Sequence, residues 1–137
     1  MNMKKVFATG ALALTLMGSG FGVLSAAASN TGDTSWTNKY TVNSMYDHTP
    51  ARKKDNRSAY YNYTSKVTNS MNYINIHAAL YDGRDVSGGH EYKSYVGSTT
   101  HLWNNAVEST GSGVSVRINS IRKANGSASG VWSPDSK

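Results

Sequence analysis

Apolar and polar residues alternate along most of the chain beyond residue 35, as they do in strands that bury one face. The clearest run is Y-I-N-I-H-A-A-L at residues 73–80, where apolar residues occupy every even position. V-S-V-R-I-N-S-I at residues 114–121 alternates in the same way. We therefore expect two strands whose buried faces are formed by Ile74, Ile76, Ala78, Leu80, Val114, Val116 and Ile118.

Shorter runs predict five further strands, at residues 36–46, 59–64, 91–96, 101–108 and 127–133. In the first run, Trp36, Tyr40, Val42 and Tyr46 fall on even positions and are expected to share one face. Gly, Asn and Ser separate the runs, and S-T-G-S-G at residues 109–113 is expected to be a hairpin loop. About seven short strands predict an all-β domain, either a small antiparallel β-sandwich of immunoglobulin-like or Greek-key type or a barrel.

The first 28 residues have the pattern of a secretory signal peptide. Lys4 and Lys5 precede an uncharged apolar stretch, and Ala26 and Ala28 place small residues before a cleavage site. A membrane anchor is the alternative, but glycines interrupt the stretch and no second apolar run follows it. The sequence therefore predicts a secreted, extracellular protein with a single domain at residues 29–137, of which residues 29–35 form a polar leader.

Composition after cleavage predicts a core built from aromatic rings. Cleavage would leave 109 residues, about the size of one domain, with Leu80 and Leu102 as the remaining leucines. Nine tyrosines and three tryptophans remain beside many β-branched residues, and these residue types favour strands. Because the chain has no cysteine, no disulfide supports this core. We expect Trp36, Trp103 and Trp132 to be buried.

The net charge argues against a nucleic-acid partner. Once Lys4 and Lys5 are removed, 12 lysines and arginines stand against 8 acids, a net charge of +4. Such a charge steers the protein only mildly toward anionic surfaces, and no nucleic-acid-binding motif accompanies it. The partners that fit are an anionic cell-envelope polymer, a lipid headgroup or a glycan.

The densest positive charge lies in A-R-K-K-D-N-R-S-A-Y-Y-N-Y, residues 51–63. The simpler interpretation is a solvated loop leading into a tyrosine-rich strand, with Tyr61 and Tyr63 on one face and Tyr60 on the other. The alternative is a contact patch in which loop cations and an exposed Tyr60 hold an anionic or glycan partner. That predicted loop patch consists of Arg52, Lys53, Lys54, Arg57 and Tyr60.

Patterns for catalysis and metal binding are weak. The four histidines lack the spacing that lets two imidazoles share one metal, and His77 is expected on the polar face of its strand. A calcium-binding loop is not predicted from Asp82, Asp85 and Glu91, because Arg84 occupies a position where an oxygen ligand is needed. We expect instead that these carboxylates accept hydrogen bonds from backbone amides of the turn. The sequence predicts a non-enzymatic protein with no cofactor and no metal.

Three stretches carry a resemblance to a known group: A-R-K-K-D-N-R-S-A-Y-Y-N-Y, Y-I-N-I-H-A-A-L-Y-D-G-R-D-V-S and the ending A-S-G-V-W-S-P-D-S. With the signal peptide, they resemble a family of small secreted Gram-positive proteins related to or associated with lactococcin-type bacteriocins. The resemblance implies an exported β-sandwich, and a bacteriocin or bacteriocin-associated protein that contacts the bacterial cell envelope. The alternative is a secreted glycan-binding or matrix module that self-assembles through strand edges without toxicity.

Overall fold

A computed structural model describes residues 29–136, so the predicted signal peptide lies outside the described residues. These residues form nine strands and one short helix. The strands are β1 (Thr34–Tyr40), β2 (Tyr46–His48), β3 (Arg52–Lys54), β4 (Tyr60–Val67), β5 (Tyr73–Leu80), β6 (Tyr92–Tyr95), β7 (Thr99–Leu102), β8 (Val114–Ile121) and β9 (Gly126–Ser133), and the helix is α1 (Ala106–Thr110). Within residues 29–136, no helix is long and apolar enough to cross a membrane.

The strands form two antiparallel sheets, which confirms the predicted β-sandwich. The four-stranded sheet has the order β1-β9-β4-β7. In the five-stranded sheet β8 pairs with β5 on one side, β6 forms the edge beyond β5, and β2 and β3 both pair with β8 on its other side. Most connections cross from one sheet to the other, because consecutive strands usually lie in different sheets, as β4 and β5, β7 and β8, and β8 and β9 do.

The core between the sheets joins aliphatic side chains from one layer to aromatic rings from the other. Ile74, Ile76, Ala78, Leu80, Val116 and Ile118 of the five-stranded sheet are buried as predicted, and Val114 is partly buried against them. Trp36, Tyr40, Tyr60 and Trp132 come from the four-stranded sheet. The Tyr60 and Trp132 rings lie 6.0 Å apart at a tilted angle, a favourable geometry for aromatic pairs.

The predicted strand at residues 36–46 ends early. β1 stops at Tyr40, and Thr41 and Ser44 exchange two backbone hydrogen bonds that reverse the chain direction. β2 then joins the other sheet, so the alternation does not continue across the turn. Trp36 and Tyr40 are buried as predicted, whereas Val42 is exposed within the turn and Tyr46 is exposed beyond it.

The predicted strand at residues 101–108 is wrong beyond Leu102. The Asn104 side chain accepts a hydrogen bond from the Ala106 backbone and donates one to Ser58 O, which fixes a turn and starts α1. Trp103 is therefore directed outward and is 44% exposed, contrary to its predicted burial. Because β7 and β8 lie in different sheets, residues 109–113 are not a hairpin loop.

Candidate functional site

The structure divides the predicted loop patch between core and surface. Lys54 and Tyr60 have no exposed surface, so neither can contact a partner from solvent, and both are wrong as patch residues. Lys54 lies on the inward side of β3, and Tyr60 packs against Trp132. The sequence pattern missed this because a lysine in a charged run is normally solvated.

Lys54 is instead one half of a buried ion pair. Its Nζ lies 2.9 Å from Asp135 Oδ1, and both side chains are fully buried. The ammonium also donates to Pro134 O at 2.7 Å and to Ser58 O, which uses all three of its protons. Burial lowers the pKa of Lys54, while the hydrogen bond and charge of Asp135 act in the opposite direction.

The other three residues of the predicted loop patch differ from one another in burial and in hydrogen bonding. Arg52 is partly buried, and its guanidinium donates to Asn30 Oδ1 and Gly32 O of the polar leader. Burial lowers its pKa, although Asp33 and Asp135 oppose that effect. Lys53 and Arg57 are exposed. The five residues therefore do not form one accessible surface, and binding through Lys53 and Arg57 stays a prediction.

A cleft of about 590 Å³ lies on the outer face of the five-stranded sheet. The outward-facing residues of β8 and β5 form its floor, and β2 forms one side. The polar and aromatic residues that line it are Tyr46, Asp47, His48, His77, Glu91, Arg117, Asn119 and Ser120. This cleft is the candidate functional site.

Strand register brings the cleft residues into rows. Asn119 on β8 is the pairing partner of both His48 on β2 and His77 on β5. The next outward row places Ile121 between Tyr46 and Asn75. Since neighbouring strands lie roughly 4.8 Å apart, each row presents its side chains to one ligand-sized space.

The connection from residue 81 to residue 91 folds over the outer face and forms the second side of the cleft. Leu80 N donates to Arg84 O at 2.8 Å and Val86 N donates to Ala78 O at 3.2 Å, so this connection is bound back onto β5. Asp82 and Asp85 accept hydrogen bonds from the Arg84 and Ser87 backbones, as the predicted turn-capping carboxylates should. This rigid connection places Gly83 and Glu91 opposite β2.

Hydrogen bonds fix the cation at one end of the cleft. Arg117 Nε donates to Asn119 Oδ1 at 2.8 Å, and its Nη1 donates to Tyr81 O at 3.0 Å. Gly83 leaves room for the guanidinium, because a Cβ at this glycine would lie 2.9 Å from Arg117 Nη2. The side chain is therefore held in place before any ligand arrives, which lowers the entropic cost of binding.

Two histidines line the cleft, and a hydrogen bond orients one of them. His48 Nδ1 lies 2.8 Å from Thr49 O, so Nδ1 carries a proton and donates it to this carbonyl. His77 lies on the outer face, as predicted. Among residues 29–136, no group of three His, Asp or Glu side chains is placed to hold a metal ion.

Sequence reasoning missed the cleft because its residues come from three separate segments. The available signal was the outward register of residues 117, 119 and 121 in β8, where Arg, Asn and Ile alternate with buried side chains. Pairing of β2 with β8 could not be read from the sequence, because the turn at residues 41–44 interrupts the run that contains Tyr46.

Residues 24–136 match the model of a family described as Protein of unknown function (DUF2712), and the chain belongs to that family. No curated protein and no solved structure matches it. The family description assigns no activity.

Proposed function

We propose that the chain is a secreted, non-catalytic binding module that holds a cell-envelope glycan in the cleft on the five-stranded sheet. The observation that carries the proposal is the composition of the cleft: an exposed tyrosine stands beside fixed hydrogen-bonding side chains. Tyrosine presents an apolar ring and a hydroxyl together, which suits stacking on a sugar ring.

The polar lining supports a sugar ligand more than an apolar one. Arg117 supplies donors, Glu91 supplies acceptors, and the Asn119 amide supplies both types. Hydroxyl groups of a sugar donate and accept hydrogen bonds, so a mixed set of partners satisfies them. A cleft open at the surface also admits an internal segment of a polymer, which an enclosed cavity would exclude.

Binding to insoluble Gram-positive wall polysaccharide tests the proposal. Tyr46→Ala should weaken binding roughly tenfold, because an aromatic anchor at the centre of a contact commonly contributes that much. Tyr46 is 70% exposed, so the substitution should leave the circular dichroism spectrum and the urea midpoint unchanged. His77→Ala should also weaken binding without unfolding, because His77 is only partly buried and lies on the outer face of β5.

Tyr81→Ala is the matched control. Tyr81 is 52% exposed and contributes only its backbone carbonyl to Arg117, so its ring is outside the cleft lining. The control should bind as the natural chain does. Equal losses for Tyr46→Ala and Tyr81→Ala, or no binding of the folded chain to any wall polysaccharide, would reject the cleft as a glycan site.

Growth assays separate the two consequences of envelope binding. If binding is toxic, as the resemblance to bacteriocin-associated proteins implies, the chain should inhibit a sensitive Gram-positive strain and Tyr46→Ala should lose that inhibition. Binding without inhibition would instead assign the chain to the matrix or adhesion class.

A further inference from the structure

Two cations meet over one tyrosine ring at the edge of the same sheet face. Lys93 Nζ lies 4.9 Å from the centre of the Tyr73 ring, and Arg122 Cζ lies 4.2 Å from it. The Tyr95 ring lies 5.4 Å from Tyr73 and is partly exposed. We call Tyr73, Lys93, Tyr95 and Arg122 the basic aromatic cluster.

The two charges are close enough to repel each other. Both lie near the same ring centre, so they are nearer to one another than the roughly 10 Å over which 0.1 M salt screens exposed charges. The ion pairs of the described residues are Lys54 with Asp135 and Arg84 with Asp82, so neither cluster cation has a carboxylate partner there. An anion that contacts both of them would relieve the repulsion and gain two charged contacts.

Arg122 is held in place by the backbone. Its Nε donates to Tyr73 O at 2.9 Å and its Nη2 donates to Met71 O at 2.6 Å. A guanidinium has five N–H donors, so these two bonds leave others for a ligand. Lys93 reaches the ring from the edge strand β6, where its side chain is exposed. The fixed guanidinium of Arg122 and the adjustable ammonium of Lys93 can therefore both contact one oxyanion.

The cluster is continuous with the cleft. Asn75 pairs with Lys93 on one side and with Ile121, a cleft residue, on the other. Arg122 directly follows Ile121 in the chain. A polymer lying in the cleft would therefore pass over the cluster within two strand spacings, which is about the length of a disaccharide unit or less.

From these contacts, and on the basis of the proposed glycan site, we infer that the basic aromatic cluster is an anion subsite. The ligand is then a polyanionic glycan whose oxyanion, a phosphate or a carboxylate, contacts Lys93 and Arg122. Tyr95 and Tyr73 border the adjoining polyol or sugar segment.

Titration against four probes tests the inference: poly(glycerol phosphate), polygalacturonate, neutral dextran, and vesicles of phosphatidylglycerol. At least one of the two anionic polymers should bind more tightly than dextran, and 0.5 M NaCl should largely abolish the difference. Which anionic polymer binds identifies phosphate or carboxylate as the oxyanion. Vesicle binding that exceeds polymer binding would overturn the inference in favour of a lipid headgroup.

Lys93→Glu should lower the affinity for the anionic polymer about tenfold, since it replaces an attractive contact with a repulsive one. Lys39→Glu and Lys66→Glu on the other sheet carry the same charge change on exposed residues, and both should bind almost normally. Equal losses in all three variants would overturn the inference, because they would show an effect of net charge alone.

The outcomes also separate this inference from the proposed function. If neutral wall glycan binds in a Tyr46-dependent manner and Lys93→Glu has no effect, the cleft stands and the anion subsite is wrong. If neither neutral nor anionic polymers bind the folded chain, both are wrong.

Discussion

One carboxylate connects three distant parts of the chain. Asp135 Oδ2 accepts backbone hydrogen bonds from Asn30 at 2.7 Å and Asp55 at 3.0 Å, while Oδ1 faces the Lys54 ammonium. The C-terminal S-P-D-S segment thereby joins the polar leader and the end of β3. A residue that looks like a solvated tail in the sequence is thus part of the interior.

Asp135→Asn should destabilise the fold strongly. The substitution keeps the size of the side chain but leaves the Lys54 charge buried without a counter-ion, which typically costs about 3–5 kcal/mol. The free energy of unfolding from urea titration measures the loss. Asp82→Asn is the control, because the Asp82–Arg84 pair is exposed and screened, and its urea midpoint should hardly move. Similar midpoints for the two variants would mean that the buried pair contributes little.

The tryptophans test the contrast between core and surface. Trp132→Ala should cost roughly 3–5 kcal/mol because the ring is fully buried, whereas Trp103→Ala should cost about 1 kcal/mol or less. Urea titration of both variants measures the difference. Iodide should quench mainly the Trp103 fluorescence, and equal quenching in the Trp103→Phe variant would contradict its exposure.

Residue patterns predicted the inward positions of long strands but not the residues beside turns. Ile74, Ile76, Val116 and Ile118 alternate within uninterrupted strands, so burial follows from period-two geometry. Trp103 directly follows the buried Leu102, so the alternation that buries Leu102 turns Trp103 outward. Its predicted burial relied on its hydrophobicity, and the side-chain hydrogen bonds of Asn104 end β7 before another inward position is reached.

At the scale of elements, β2 and β3 act as one interrupted edge strand. Thr49 N donates to Ile118 O, and Ile118 N donates to the Thr49 hydroxyl instead of to a carbonyl, both at 3.0 Å. Pro50 follows and has no N–H to donate. The sequence predicted a loop here because no alternation of apolar residues marks this segment. The side-chain acceptor of Thr49, which maintains the pairing with β8, is not visible in such a pattern.

Thr49→Val should destabilise the five-stranded sheet by about 1–3 kcal/mol, because it leaves the buried Ile118 amide without its acceptor. Thr49→Ser retains the hydroxyl and should recover most of the stability. Urea titration compares the two, and hydrogen exchange of the Ile118 amide should accelerate in the valine variant alone. Equal stability of the two variants would show that the hydroxyl is not the required partner.

At the scale of the whole molecule, fold class was predictable and the assembly of the site was not. Strand alternation and aromatic content indicate two packed layers whatever the strand order. The cleft depends on which strands become neighbours: β2 and β5 both pair with β8, but five other strands separate β2 from β8 in the chain and two separate β5 from β8. His48, His77 and Asn119 acquire a common role only through that order.

Alkaline pH should unfold the protein through its buried phenols. Burial raises the pKa of Tyr40 and Tyr60 above the ordinary value of 10.0, so the folded chain keeps both protons while the unfolded chain releases them. Stability is therefore intact below pH 10 and falls above it, by up to about 2.7 kcal/mol per pH unit for two groups. Lys54 has the opposite effect on the stability of the fold. Because burial lowers its pKa in the folded chain, stability rises with pH until the unfolded lysine also deprotonates near 10.5.

Urea midpoints between pH 8 and pH 11.5 measure this alkaline loss. Tyr60→Phe should be less stable at neutral pH, since the Tyr60 hydroxyl donates to Ala79 O at 3.0 Å, but its stability should fall about half as steeply above pH 10. Tyr46→Phe removes an exposed phenol and should retain the full slope. If Tyr60→Phe and Tyr46→Phe gave the same slope, the Tyr60 phenol would not contribute to the alkaline transition, because its burial is the feature that distinguishes the two substitutions.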